Sequence, residues 1–266
     1  MTADPKHILI TGASSGIGAA LARHYARNHP GRGRSGSGEG LRLTLTGRDA
    51  ARLAAVAEDC RAAGAEVAAP TLDVTDRTAT AEAIHAADAA RPLDLVIANA
   101  GISGGTGSAG AEPAEQARRI FATNLDGVIN TVQPAVERMT ARGAGQIGLM
   151  ASLAAFRGFP GAPAYCASKA AVRVYGEALR GHLAPSGVGV SVICPGYVKS
   201  PMTAVNAFPM PLLMEAERAA ALIAKGLARN RARIAFPRRL YTLVWLLATL
   251  PPALTDPLLR RLPEKG

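Results

Sequence analysis

Short apolar runs alternate along this chain with longer stretches in which apolar residues return every three or four positions. The runs at 7–11, 41–46, 67–72, 94–98, 146–150 and 188–194 have the length of buried strands, and 233–236 is a candidate for one more. Helical periodicity fills the intervals at 15–28, 49–63, 76–90, 113–141, 164–183 and 215–229. Asp49 has the chemistry of a helix cap, and Gly64 that of a helix stop. Strand followed by helix, repeated, predicts an α/β fold: one doubly wound parallel sheet with helices on both faces. In such a sheet ligands bind beyond the carboxyl ends of the strands. The residues that close each apolar run are therefore the candidates for chemistry.

Composition narrows this picture. The chain has 266 residues, normal for one large α/β layer structure, and 48% of them are hydrophobic. Aromatic residues make up only 4%, so the core must be built from Ala, Leu, Val and Ile. We expect one catalytic domain over 1–236, and an apolar, basic helical extension over 237–266 packed on the same domain. Residues 31–40 are Gly/Ser-rich, cannot bury enough apolar surface to order themselves, and are expected to form a flexible surface insertion. The first residues lack a basic start followed by an apolar run, so they do not resemble a secretory signal. Cys60, Cys166 and Cys194 have neither metal-ligand nor disulfide spacing. No metal site is expected, and the location expected is cytoplasmic.

Two motifs carry the chemistry. Thr11-Gly12-Ala13-Ser14-Ser15-Gly16-Ile17-Gly18 joins the first strand to the first helix. Its glycines permit a tight turn and let backbone amides approach a pyrophosphate at a helix N-terminus, as in Rossmann-type dinucleotide sites. The second strand ends in Thr46-Gly47-Arg48, without the acid that would hydrogen-bond an adenosine ribose 2′-hydroxyl. Arg48 can instead pair with a 2′-phosphate, so the cofactor expected is NADP(H). Further along, Tyr165 and Lys169 lie four apart on one helix face, with Ser152 thirteen residues upstream of the tyrosine. An ammonium there favours the phenolate, and a nearby serine can hydrogen-bond the oxygen that receives the proton.

With these motifs in this order, the chain resembles the short-chain dehydrogenase/reductase family from about His7 to Met202. The resemblance implies that Ser152, Tyr165 and Lys169 are catalytic, with Asn124 holding a water that links the lysine to solvent. It implies that Asp73 and Val74 hold the adenine ring, that Asn99, Ala100 and Gly101 line the ribose, and that Lys169 contacts the nicotinamide ribose. Pro195, Gly196, Val198 and Ser200 then fall where the family binds the nicotinamide carboxamide, Ser200 standing in for the usual threonine. With Gly12, Ser14, Ser15, Gly16, Ile17, Gly18 and Arg48, these complete the expected cofactor site. The expected reaction is reversible hydride transfer between NADP(H) and a lipophilic carbonyl or alcohol, such as an oxoacyl chain, long-chain ketone or steroid-like compound. The alternative is a non-catalytic NADP-binding regulator or scaffold, which the intact Ser152, Tyr165, Lys169 and Asn124 disfavour.

Charge changes the picture at the C-terminus. The formal net charge is +10, and residues 225–266 carry nine basic residues against two acids. Within them, residues 240–250 hold no charge. Eleven helical residues span only about 16 Å, too short for a hydrocarbon core of about 30 Å. Three readings remain open for 238–261. One is a buried helix that closes the substrate pocket or packs on a second subunit of a homodimer; another is an anchor on an anionic membrane surface; the third is a dock for an acidic carrier. Nucleic acid is not expected, because no reader motif or aromatic interleaving accompanies the arginines.

Overall fold

The computed structural model describes residues 4–29, 40–107 and 111–260. Of the Gly/Ser-rich stretch, residues 31–39 lie outside the described residues, as does Arg261. Seven strands form one parallel sheet: β1 (His7–Thr11), β2 (Arg42–Thr46), β3 (Glu66–Ala68), β4 (Leu95–Ala98), β5 (Gly145–Met150), β6 (Val188–Pro195) and β7 (Arg233–Phe236). They lie in the order β3-β2-β1-β4-β5-β6-β7. The order reverses direction at β1, which pairs with β2 on one side and β4 on the other, Ile10 facing both Leu45 and Ile97. This is the crevice in which a doubly wound sheet binds its ligand.

Successive β1 side chains point to opposite faces, and both faces are covered. Ile8 and Ile10 join the core formed with α1 (Gly16–Asn28), α2 (Ala50–Ala62) and α8 (Ala216–Ala228). Leu9 joins the core on the other face, formed with α3 (Arg77–Ala90), α5 (Gly127–Arg142) and α6 (Pro163–Leu183). The shortage of aromatic residues is met by close approach of small ones. Ala19, Ala20, Ala22 and Ala26 bury one side of α1, and a Cβ on Gly176 of α6 would come within 2.7 Å of Val192 in β6.

Two expected elements differ in form. The third strand is three residues long and does not reach Leu72; only an isolated bridge between Gly47 and Thr71 continues it. Pro70 interrupts the run, since it has no N–H to give to a ladder. The long helix expected over 113–141 is divided. α4 (Ala114–Phe121) passes into a π-helical turn at Ala122–Asp126 and then into α5. A π turn shifts the helix register by one residue, and such turns cluster at functional sites. Here it carries Thr123 and Asn124 into the interior.

After β6 come α7 (Pro201–Ala204) and, beyond β7, α9 (Arg238–Thr249) and α10 (Pro252–Leu259). Leu240, Tyr241 and Val244 turn one face of α9 inward. Tyr241 packs edge-on against Phe156 at 5.4 Å between ring centroids and accepts a hydrogen bond from Arg233 at 3.0 Å. α10 is tied to the segment after Ser152, where the Arg157 guanidinium donates to Asp256 at 2.6 Å and to Thr255 at 3.1 Å. No helix among the described residues is long and apolar enough to cross a membrane.

Candidate active site

The carboxyl ends of β1, β2, β4, β5 and β6 open into one cavity of about 890 Å³. At its floor the chain leaves β1 through Gly12, whose φ of +65° lies in the left-handed region that glycine adopts without strain. Ser15 precedes α1 in extended form and makes no side-chain cap hydrogen bond. The amides of the first helical turn are therefore left to whatever lies above them. Gly18 does not line the cavity. A Cβ there would meet the Gly12 carbonyl oxygen at 2.3 Å and the Asn99 amide at 2.6 Å, so its bareness lets α1 lie against the turn. Asn99 holds the same turn from β4, donating through Nδ2 to the carbonyls of Thr11 (2.9 Å) and Gly12 (3.2 Å). Thr11, which sequence reasoning passed over, accepts from the amides of Asn99 and Ala100 at 3.0 and 3.1 Å. Its signal was a buried hydroxyl at the end of an apolar strand.

Arg48 stands at the rim with its side chain 60% exposed and its guanidinium 3.8 Å from the Asp73 carboxylate. Arg52, also missed, lines the same rim and pairs with Asp49 at 2.6 Å. Asp49 caps α2 as expected, accepting from the Arg52 amide at 2.9 Å. Asp73 accepts from the amide and hydroxyl of Thr75 at 3.0 and 2.9 Å, so it shapes its own loop while lining the cavity. Ser14, Gly16, Ile17, Val74, Ala100, Gly101, Pro195, Gly196, Val198 and Ser200 line the cavity too. Ser200 also caps α7 through a reciprocal pair of bonds with Thr203.

Ser152, Tyr165 and Lys169 meet in this cavity. Ser152 follows β5, is buried, and hydrogen-bonds the Tyr165 hydroxyl. Its Oγ also accepts from the Ala154 amide at 3.1 Å. Tyr165 sits in the first turn of α6, which Glu112 holds by accepting from the Ala164 amide at 2.9 Å. Lys169, one turn on, is 3% exposed; its Nζ donates to the Met150 carbonyl at 2.8 Å and lies 6.0 Å from the Tyr165 ring centroid. Asn124 is fully buried behind the cavity wall and does not line it. Its Oδ1 accepts from the Ile102 amide at 2.8 Å, and its Nδ2 donates to the Ile102 carbonyl at 3.0 Å and the Ser168 hydroxyl at 3.1 Å.

One electrostatic expectation is corrected. The ammonium was expected to draw the Tyr165 hydroxyl toward ionisation. In the protein alone burial dominates and raises the Tyr165 pKa, opposed by the Ser152 hydrogen bond. The same desolvation pushes Lys169 down to about 8. A low-dielectric site disfavours both charged forms, and Lys169 is turned to a backbone carbonyl.

Much of the remaining wall is apolar, with Thr123, Tyr197, Thr203 and Asn206 as its polar members. Leu153 and Phe159, Phe208 and Pro209, and Val244 and Leu259 come from three separate segments. The charged lining residues are Arg48, Asp49, Arg52, Asp73 and Lys169.

The chain belongs to the short-chain dehydrogenase family, whose pattern it matches over residues 6–208, and is an oxidoreductase of that class. It is 43% identical over 255 residues to an uncharacterised oxidoreductase of Myxococcus xanthus, covering 96% of each chain. Among solved structures, it is similar to a short-chain dehydrogenase/reductase from Burkholderia phymatum in complex with NAD. That likeness has a TM-score of 0.80 and 26% identity, over 100% of this chain and 99% of that one. A short-chain dehydrogenase from Sphingobium yanoikuyae in complex with NADPH aligns with a TM-score of 0.78 and 25% identity, over 98% of this chain and 97% of that one.

Proposed function

We propose that this protein interconverts a lipophilic carbonyl compound and its alcohol with NADP(H). The observation that carries the reading is the convergence of Ser152, Tyr165 and Lys169 in one cavity with the uncapped start of α1 and the exposed guanidinium of Arg48. The residues present fit a dinucleotide. A Cβ on Gly16 would approach Ser200 to 3.1 Å, and one on Gly101 would approach Lys169 Nζ to 3.3 Å, so bare backbone keeps the floor open. The helix dipole and the first-turn amides at Gly16 and Ile17, which line the cavity, suit a pyrophosphate. The chemistry NADP(H) supplies when bound is hydride transfer to or from the carbonyl carbon.

The chain's own residues manage the oxygen. In reduction the Tyr165 hydroxyl donates a proton to the substrate oxygen, and the Ser152 hydroxyl hydrogen-bonds that oxygen as charge develops on it. Burial keeps Tyr165 protonated at neutral pH, the state a donor needs. Lys169 holds positive charge beside the tyrosine and is the residue that would hold the nicotinamide ribose. Asn124 is a positioning residue: by bonding both Ile102 and Ser168 it fixes the loop after β4 against α6. In oxidation the proton runs the other way. The apolar wall favours an uncharged, extended substrate such as an oxoacyl chain, long-chain ketone or steroid-like compound.

Scanning NADPH oxidation, followed by the loss of reduced-nicotinamide absorbance, against uncharged ketones of increasing chain length tests the proposal. Activity that grows with chain length is expected. Tight NADPH binding with no turnover on any carbonyl or alcohol would favour the non-catalytic regulator instead.

The cofactor assignment has its own test. Arg48→Ala raises the KM for NADPH roughly ten- to hundred-fold, the worth of one charged hydrogen bond of about 1.5–3 kcal/mol, and leaves the KM for NADH nearly unchanged. A wild-type enzyme that prefers NADH would end the NADP assignment.

A further inference from the structure

Helix α9 is apolar on both sides, yet only one side is covered. Leu240, Tyr241, Val244 and Leu247 turn toward the protein, whereas Leu243, Trp245, Leu246 and Leu250 are exposed. α10 continues the patch with Leu254 and Leu258, the former 69% exposed. The patch is continuous with the cavity, because Leu243 and Leu258 are exposed and line it as well. Val205 and Leu212 are exposed as well, each next in sequence to a residue that lines the cavity. A soluble monomer rarely leaves apolar surface of this kind open, and such patches mark interaction sites.

Charge identifies the occupant. Arg238 and Arg239 begin α9 and Arg260 follows α10, all exposed, and among the described residues none of them is in an ion pair. The one acid of this segment, Asp256, is engaged by Arg157. We infer that the outer face of α9 and α10 seats the protein on an anionic lipid bilayer, with the cavity mouth turned to the lipid. A helix of twelve residues is about 18 Å long and lies in the interface rather than across it. Leucines enter the acyl boundary, Trp245 sits at headgroup level, and the arginines meet lipid phosphate. A two-fold contact with a second copy would press this positive patch against itself. Transfer of a lipophilic substrate from bilayer to cavity rests on the function proposed above; the docking itself does not.

Trp245 is the single tryptophan of the chain, so its emission reports on this face directly. The full-length protein is titrated, without substrate, with vesicles of phosphatidylcholine alone and of phosphatidylcholine mixed with phosphatidylglycerol. The expected result is a blue shift and quenching by brominated lipid on the anionic vesicles, reversed by added salt. Arg238→Gln with Arg239→Gln weakens binding about thirty-fold, at about 1 kcal/mol per arginine. Leu246→Glu with Leu250→Glu abolishes it; both positions are exposed and outside the cavity wall. Should that pair disturb the circular dichroism, the arginine pair carries the test. Unchanged Trp245 emission on anionic vesicles overturns the proposal. So does a lipid-free dimer in which Trp245 is already blue-shifted and which the leucine pair dissociates. Because no arm uses turnover, failure here is separate from failure of the oxidoreductase reading.

Discussion

Tyr165→Phe lowers kcat by about 10²–10⁴-fold, the usual contribution of a positioned proton donor. Phenylalanine keeps the ring in its place on α6 and removes only the hydroxyl. The groups that hold α6 do not involve that oxygen: Glu112 bonds the Ala164 amide, and Ser168 donates to the Tyr165 carbonyl at 2.8 Å. Ser152 keeps its bond from the Ala154 amide. The fold therefore survives, and NADPH affinity, which draws on the α1 turn and Arg48, changes by roughly ten-fold at most, one hydrogen bond's worth. Stopped-assay kcat together with NADPH titration by fluorescence separates the two effects. Near wild-type kcat in this variant would sink the mechanism.

Lys169 carries the second large effect, in opposite directions for activity and stability. Burial lowers its pKa to about 8, so the free enzyme loses the ammonium as pH rises through that value. Because Tyr165 is shifted upward, it remains protonated over the same range. The reductive kcat/KM, which reports the free enzyme, falls above about pH 8. Lys169→Arg keeps its charge at all these pH values and removes that limb, at reduced activity.

For stability the sign follows from proton counting. Between about 8 and the ordinary lysine value of 10.5 the unfolded chain binds more protons than the folded one, so stability rises with pH across that window. Below about 8 the folded state carries the full cost of the buried ammonium, about 3 kcal/mol. Lys169→Met relieves it, offset by about 1 kcal/mol for the bond lost to the Met150 carbonyl. The variant should thus be about 2 kcal/mol more stable than wild type at pH 7, with the advantage gone near pH 10 and the variant the less stable of the two, by up to about 1 kcal/mol, at higher pH. Urea midpoints at the two pH values measure this. A variant less stable than wild type at pH 7 would refute the account.

By itself the sequence determined the alternation of strand and helix, the parallel sheet, and the order of its motifs, because these depend on local periodicity and on residue types that few backbones tolerate elsewhere. Gly12 needs a positive φ, Asp49 a helix to cap, and 188–194 a place buried on both faces; each is a statement about a few neighbouring residues. Of the site residues it singled out, all but Gly18 and Asn124 line the cavity, since strand ends gather at one edge of a parallel sheet. Only the tertiary structure decided what each group faces. Asn124 and Gly18 stand behind the wall because a π turn and a helix–turn contact, neither encoded as a pattern, place them there. Arg52 and Glu112 entered the site through contacts on or across segments whose sequence gives no sign of them. The protonation of Tyr165 and Lys169 was decided by burial, which spacing along a helix does not contain. The sequence likewise marked 240–250 as apolar without a side. Packing against β7 and the segment after Ser152 covers one face of α9 and leaves the other to its surroundings.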